Sequence, residues 1–331
     1  MIDLCPVGAL LSKDFLNKAR AWELDRAASI CPNCTQGCNV ILETRDNVVV
    51  RMRPRPNPEV NQFFACDYGR LNYRWINRGD RVELPYVRRD GRLMSADWDH
   101  AIRQAAALLG RAPAVVLASP MLSNEALYLL SRLARARGGS AVFRVERGPE
   151  APLPGVEDLA LRAERAANVR GAELLGFEER EAPLADVQGG DVLLVADEEM
   201  AGHDAASLMA AAARAAAVVV LGTTLPAWAR DAVSVVLPIT NFAEEEGTFT
   251  NLRGRVQRFL QARAAPGLAR PSWYVLSDLA SATGERASYL LPSEVFAALA
   301  AERPEFAGMS YDTLGLRGAV VTAGQLAEAT P

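Results

Sequence analysis

Cysteine is the residue type here whose spacing points most directly to chemistry. Four of the five cysteines fall between Ile30 and Arg70, as Cys31-Pro-Asn-Cys34-Thr-Gln-Gly-Cys38 and, twenty-seven residues later, Cys66-Asp-Tyr-Gly-Arg70. Three thiolates packed this closely wrap one corner of a metal centre, and a distant fourth closes it. That arrangement suits the cubane of a [4Fe–4S] cluster, with Gly37 letting the backbone turn tightly beneath the sulfurs. Zinc is the rival, but its structural sites pair two short C-x-x-C-type hairpins, and Cys66 has no cysteine close by. A disulfide scheme leaves an odd cysteine and needs an oxidising compartment.

Other residue sets offer less. His100 and His203, the only histidines, lie near no second strong ligand and read as surface or capping residues. Glu244-Glu245-Glu246 beside Gly247 offers paired carboxylates for acid–base work, but three adjacent acids next to a glycine read more simply as a solvated loop. No G-x-G-x-x-G follows a strand, and no Walker-type phosphate loop occurs in a chain whose only lysines are Lys13 and Lys18, so NAD and ATP sites are not expected. With 36 basic and 40 acidic residues the net charge is −4, which argues against nucleic acid as a partner. Between Arg45 and Arg92 eleven arginines face six acids. Such an excess would steer an acidic partner, stabilise a reduced cluster, or simply form a solvated face. No apolar run approaches the roughly eighteen residues of a membrane span, and Met1 to Lys13 lacks a signal-peptide pattern, so a cytoplasmic chain without direct membrane insertion is expected.

Half of the 331 residues are apolar, enough for a core without disulfides in one large or two modest domains. Residues 40–50 read as two short strands around an Asp46-Asn47 turn, so a small β-hairpin should carry the cysteine loops. Pro54, Pro56 and Pro58 then impose an extended connection back to Cys66. Asp97 is a natural N-cap for a helix to Leu109. Strands 114–118, 141–145, 191–196, 217–221 and 234–237 alternate with helices 124–137, near 156–167 and 205–216. A loop over 239–251 and helices near 272–283 and 292–303 follow. Apolar strands without period-2 alternation, alternating with helices, predict a doubly wound, mostly parallel α/β sheet covered on both faces.

The cysteine pattern followed by this α/β stretch resembles the molybdopterin oxidoreductase superfamily. The narrower likeness is to the large iron–sulfur subunit of bacterial NADH-quinone oxidoreductase, respiratory complex I. That likeness is carried by Cys5-Pro-Val-Gly-Ala-Leu-Leu-Ser-Lys13, Ala19-Arg-Ala-Trp-Glu-Leu-Asp25, Arg53-Pro-Arg-Pro-Asn-Pro-Glu-Val-Asn-Gln62, and Glu245-Glu-Gly-Thr-Phe-Thr-Asn251 with Gly254-Arg-Val-Gln257.

The resemblance implies three parts: a remnant of an upstream ferredoxin-like region over 1–25, a β-rich [4Fe–4S] domain over 26–82, and a molybdopterin-oxidoreductase-type α/β domain over 83–331. Cys31, Cys34, Cys38 and Cys66 would hold the cluster. Cys5, followed by Pro6 like the last ligand of a ferredoxin run, would serve a second cluster whose partners lie elsewhere, or stand unligated. The resemblance disfavours molybdopterin, because Tyr68 stands where catalytic relatives place a lysine and Arg253 where glutamate is usual, leaving a pterin site at Asn251 and Arg255 in doubt.

The expected role is electron transfer and scaffolding within an NADH:quinone oxidoreductase, with no complete substrate site on this chain. The NADH/flavin subunit and quinone-side subunits would be its partners, and the complex would hold it peripherally at the membrane. The rival roles are a reduced molybdopterin-dependent oxidoreductase component of the formate dehydrogenase kind, and a zinc-stabilised interaction module without redox chemistry.

Overall fold

Asp46 and Asn47 take φ of 50° and 62°, the two left-handed positions of a tight hairpin turn that Asp and Asn tolerate well. In this computed structural model, which describes residues 2, 5, 7, 9–182, 184–185, 187–197, 205–225 and 227–322, that turn joins β2 (Asn39–Arg45) to β3 (Val48–Pro54). β1 (Asp25–Ile30) pairs antiparallel on the other edge of β2, giving a three-stranded sheet. β1 was not expected from the sequence, because its Asp-Arg-Ala-Ala-Ser-Ile lacks the β-branched run that marks a strand. A five-residue helix, α1 (Asp67–Leu71), follows.

A second hairpin, β4 (Tyr86–Arg89) and β5 (Arg92–Ser95), turns at Asp90 and Gly91 and leads to α2 (Trp98–Leu109). The Asp97 side chain caps α2 by accepting from the His100 N–H at 2.7 Å. Then come β6 (Ala114–Ala118), α3 (Asn124–Ala136), β7 (Ala141–Phe143), β8 (Ala151–Pro152), β9 (Ala160–Leu161), α4 (Val169–Leu174) and β10 (Glu178–Glu179). β11 (Val192–Asp197), α5 (Ala205–Arg214), β12 (Ala217–Gly222), α6 (Ala227–Ala232) and β13 (Val235–Pro238) complete the alternation.

The large sheet runs β10-β7-β6-β11-β12-β13-β4-β5, parallel from β10 to β13, with the β4–β5 hairpin antiparallel at one edge. Its central strands are buried on both faces. Val116 and Leu194 belong to the core under α2 and α3, while Leu117 and Leu193 belong to the core under α5 and α6. The small β-rich unit and the doubly wound α/β unit of the sequence reading are therefore both present.

One expected helix is not. Residues 156–167 form β9 and then an extended stretch, because Pro154 and Gly155 break the chain ahead of it and the carbonyls there serve other partners, Glu164 O accepting from the Thr35 N–H at 3.2 Å. His203 lies outside the described residues.

After β13 the chain forms β14 (Gly247–Thr250) and β15 (Arg255–Phe259), joined by the late strand β16 (Ala319–Val320). α7 (Ser272–Ala282), α8 (Pro292–Glu302) and α9 (Tyr311–Leu314) lie between. This hairpin connects the two units. Phe242, Phe249 and Phe259 stack with ring centroids 4.5–6.5 Å apart and share a core with Ile30, Val40, Leu42 and Met52 of the small sheet.

The three glutamates are not a solvated loop: Glu244 and Glu245 are buried. Glu244 receives both terminal nitrogens of Arg81 at 2.7 Å. Glu245 accepts from the Ser272 N–H at 2.6 Å and the Thr240 hydroxyl at 2.8 Å. A second buried carboxylate, Glu125 on α3, accepts from the Thr248 N–H at 2.9 Å and the Tyr311 hydroxyl at 2.8 Å, fastening α3 to β14.

Burial pushes Glu125 and Glu245 up from 4.5 to about 7, against their hydrogen bonds, and each carboxylate is a like charge to the other. The folded state thus holds protons that the unfolded chain has released. This pair's contribution to stability is complete below about pH 4.5 and is lost as pH rises through about 7, a change on the order of a few kcal/mol. Urea unfolding between pH 6 and 8 should show stability falling with pH, and Glu125→Gln with Glu245→Gln should flatten that slope. An equal slope in the double variant would contradict the assignment.

Candidate metal centre

β1 ends at Ile30 and β2 begins at Asn39, so Cys31 to Cys38 form the connection between two antiparallel neighbours. The Cys31 N–H donates to the Cys38 carbonyl at 2.8 Å and closes the loop at its base, while the Gly37 N–H reaches the Cys34 carbonyl at 3.2 Å. Gly37 has φ of 60°, and a Cβ there would stand 2.9 Å from both Asn251 Cβ and Gln257 Nε2. Glycine is required by conformation and by space.

The loop is bound on its outer side by the α/β unit. Gln257 Nε2 donates to the Gly37 carbonyl at 3.0 Å, the Leu252 N–H to the Thr35 carbonyl at 2.9 Å, and Arg162 Nε to Gln36 Oε1 at 2.9 Å.

Cys66 arrives at the N-terminus of α1, where its sulfur accepts from the Gly69 N–H at 3.3 Å. A Cβ on Gly69 would stand 2.9 Å from Cys31 Sγ and 3.5 Å from Cys66 Sγ, so one glycine packs under two sulfurs from distant segments. Asn33 bridges them. Its Nδ2 donates toward Cys31 Sγ at 3.6 Å and to the Gly69 carbonyl at 3.3 Å, and its Oδ1 accepts from Asn72 Nδ2 at 3.1 Å.

Cys31, Cys34 and Cys38 are buried and Cys66 is half-buried. Burial pushes the Cys31 thiol up to about 12 and Cys38 well above its ordinary range, each reinforced by the neighbouring thiols, Cys66 included. Burial likewise raises Cys34, opposed by the Arg162 and Gln36 N–H groups and then by the charge of Arg165. The four sulfurs thus lie within electrostatic reach of one another. Among the described residues, no group of three or more His, Cys, Asp and Glu side chains is arranged to hold a metal ion.

The remaining candidates lie apart. Cys5 lines a groove with Leu11, Phe15 and Arg51, and none of the other four cysteines borders it. His100 Nε2 sits 2.6 Å from Arg89 Nη2 on the surface of α2. Asn251 Oδ1 accepts from the N–H groups of Arg253 and Arg255, each at 3.0 Å, and Arg255 pairs with Glu59 and donates to the Gly318 carbonyl at 2.8 Å.

Many arginines of the 45–92 stretch are engaged inside the molecule. Arg51 and Arg53 converge with Arg26 on buried Glu43, Arg74 holds Asp14, and Arg81 holds Glu244. Sequence reasoning missed Asn33, Gln257 and Arg165. Asn33 lies inside the motif and was legible as a polar residue between thiols, whereas the other two come from far along the chain.

A buried three-thiol loop on a small antiparallel sheet, with a fourth thiol at the start of α1 and a doubly wound α/β unit behind it, defines a class of redox protein. The family model for molybdopterin oxidoreductase matches residues 81–225 and 162–282, and that for the molybdopterin oxidoreductase Fe4S4 domain matches residues 25–78. The chain belongs to the molybdopterin oxidoreductase family.

Within it the chain is similar to the NADH-quinone oxidoreductase G subunit of Rickettsia felis, 36% identical over 143 residues that cover 42% of this chain and 21% of that protein. It is also similar to NADH-quinone oxidoreductase subunit 3 of Thermus thermophilus, 40% identical over 99 residues, 30% of this chain and 12% of that one. The matched stretch spans about a fifth or less of these relatives' length. Acetylene Hydratase from Pelobacter acetylenicus shares the fold, with a TM-score of 0.56 over 89% of this chain and 74% of that chain at 11% identity.

Alanine at Gly37 meets both a left-handed backbone and two close neighbours, whereas Gly79 has open space around it. Gly37→Ala should therefore cost about 1–3 kcal/mol in urea unfolding, and Gly79→Ala should stay within about 0.5 kcal/mol of the parent protein. Equal costs would show that the loop is not seated as described.

Proposed function

We propose that this chain is an iron–sulfur electron-transfer and scaffold element of a complex I-like NADH-quinone oxidoreductase, with Cys31, Cys34, Cys38 and Cys66 holding one [4Fe–4S] cluster. The observation that carries this reading is a set of four thiols from two segments, three of them buried and within electrostatic reach of the fourth, with the Cys31 and Cys66 sulfurs brought together over Gly69. The donor set fits, because neutral buried thiols become thiolates only when a cation compensates them. When bound, the cluster supplies one-electron redox chemistry.

The chain's own residues would hold and tune it. The Gly69 N–H and Asn33 Nδ2 aim at Cys66 and Cys31 sulfurs, and such bonds favour the thiolate form and the added negative charge of reduction. The core of Ile30, Val40, Phe249 and Phe259 behind the loop excludes water. Cys5 would ligate a second cluster completed by other segments.

In this reading residues 1–25 form a leading stretch, 26–82 the cluster domain and 83–331 an α/β domain that docks neighbouring subunits, among them the NADH/flavin and quinone-side subunits. Association would be peripheral, on the cytoplasmic face, and no helix of the described residues is long and apolar enough to cross a membrane.

In this reading the chain works without molybdopterin. Asn251 and Arg255 are committed to internal partners, and Tyr68 places a neutral phenol two residues beyond Cys66. These engagements support a role without pterin catalysis.

Anaerobic purification with iron, sulfide, zinc and molybdenum analysis tests the reading. Roughly four irons and four sulfides per chain are expected, with a reduced-cubane EPR signal lost in Cys34→Ala. Stoichiometric zinc without sulfide would select the structural module, and bound molybdenum or tungsten the catalytic one.

A further inference from the structure

Beside the thiol site lies a cation, Arg165, to which none of the ion pairs around it extends. The segment from Arg162 to Arg165 runs along the outer side of the cysteine loop, held there by the Thr35 N–H on the Glu164 carbonyl and by the Arg165 N–H on the Glu146 carbonyl at 2.9 Å. Most charged side chains around it are matched. Arg162 pairs with Glu150 at 2.7 Å, Arg147 with Glu164 and Glu179, Arg170 with Glu173 at 2.9 Å, and Arg253 with Asp158 at 3.7 Å.

Arg165 alone of these five arginines has no carboxylate within ion-pair distance among the described residues. Its guanidinium donates instead to carbonyl oxygens, that of Pro149 at 2.8 Å and that of Arg162. It stacks over the Tyr68 ring with its carbon 5.4 Å from the centroid. Gly148 makes room for it, since a Cβ there would stand 2.6 Å from Nη2. Tyr68 lies on α1 two residues after Cys66, and the Arg165 charge reaches Cys34. An unneutralised, clamped cation is thus held between the two segments that bear the thiols. Carbonyls and an aromatic face keep its full charge while fixing its place.

We propose that Arg165, positioned by Tyr68, is the residue that eases reduction of a cluster held by Cys31, Cys34, Cys38 and Cys66. The inference rests on the ligand assignment proposed above. Reduction adds one negative charge to the site, and a fixed, partly buried cation stabilises the reduced form with little screening by salt. Arg165 is a positioning residue that acts through the field and touches no reacting atom.

The test is a redox titration of the full chain, purified anaerobically and followed by the EPR signal of the reduced protein. At a fixed ambient potential, Arg165→Gln should lower the ratio of reduced to oxidised protein by roughly three- to tenfold, tenfold being 59 mV for one electron. Arg165→Lys should restore most of that ratio and Tyr68→Phe should leave it unchanged, because charge and ring are kept, while Tyr68→Ala should move it toward Arg165→Gln.

A ratio unchanged in Arg165→Gln, or lowered as far by Arg165→Lys, would overturn the proposal. Should Arg165→Gln lose its iron, the Tyr68→Ala and Tyr68→Phe pair decides in the same sense. Parent protein that contains no iron or sulfide overturns the ligand assignment, and this proposal with it.

Discussion

Sulfur charge in a water-poor loop is the constraint from which the rest of this molecule follows. Cys31, Cys34 and Cys38 sit at 4–6% exposure, where a bare thiolate is strongly disfavoured and neighbouring thiols raise the cost. In the proposed reading a cationic centre compensates such a loop and the backbone holds the sulfurs in place. The backbone condition is met by parts that lie far apart in sequence. Gly37 allows the turn, Gly69 packs under two sulfurs, and Gln257 and Leu252 fasten the outer side. The thiol loop and the β14–β15 hairpin are therefore one structural unit, although more than two hundred residues separate them.

Charge is handled the same way elsewhere in the interior. Glu43 sits beneath three arginines, Glu244 receives Arg81 and lies near Arg263, and Glu125 and Glu245 are satisfied by hydroxyl and amide donors that favour hydrogen bonding without a counter-charge. These buried groups join elements that a purely apolar core would leave free to slide. Arg81 ties the segment after the small sheet to the loop after β13, and Glu125 ties α3 to β14. Arg165 differs from these in having no carboxylate within ion-pair distance among the described residues, and it is held by carbonyls and the Tyr68 ring beside the thiol loop.

Much of this was legible in the sequence, and the unread parts share a physical cause. The cysteine spacing, the Asp46-Asn47 turn, the Asp97 cap and the alternation of apolar strands with helices each depend on neighbours in the chain, so local chemistry discloses them. β1 escaped notice because its small polar residues become a strand only by pairing with β2 along its whole length. The helix expected near 156–167 failed because the thiol loop recruits that backbone. The glutamates at 244–246 looked solvated because their partners Arg81, Arg263 and Ser272 are distant in sequence. At the candidate site, the grouping of the cysteines follows from spacing, whereas Arg165 is brought beside them only by the fold, onto a tyrosine with which it shares no motif.

The central claim is that Cys31, Cys34, Cys38 and Cys66 surround one iron–sulfur cluster. Anomalous diffraction at the iron and zinc absorption edges, from crystals grown and frozen without oxygen, tests it most directly. The account predicts iron-edge density of cubane size enclosed by these four sulfurs, with none at the zinc edge. A single compact zinc peak, or four reduced thiols with no anomalous density between them, would contradict it.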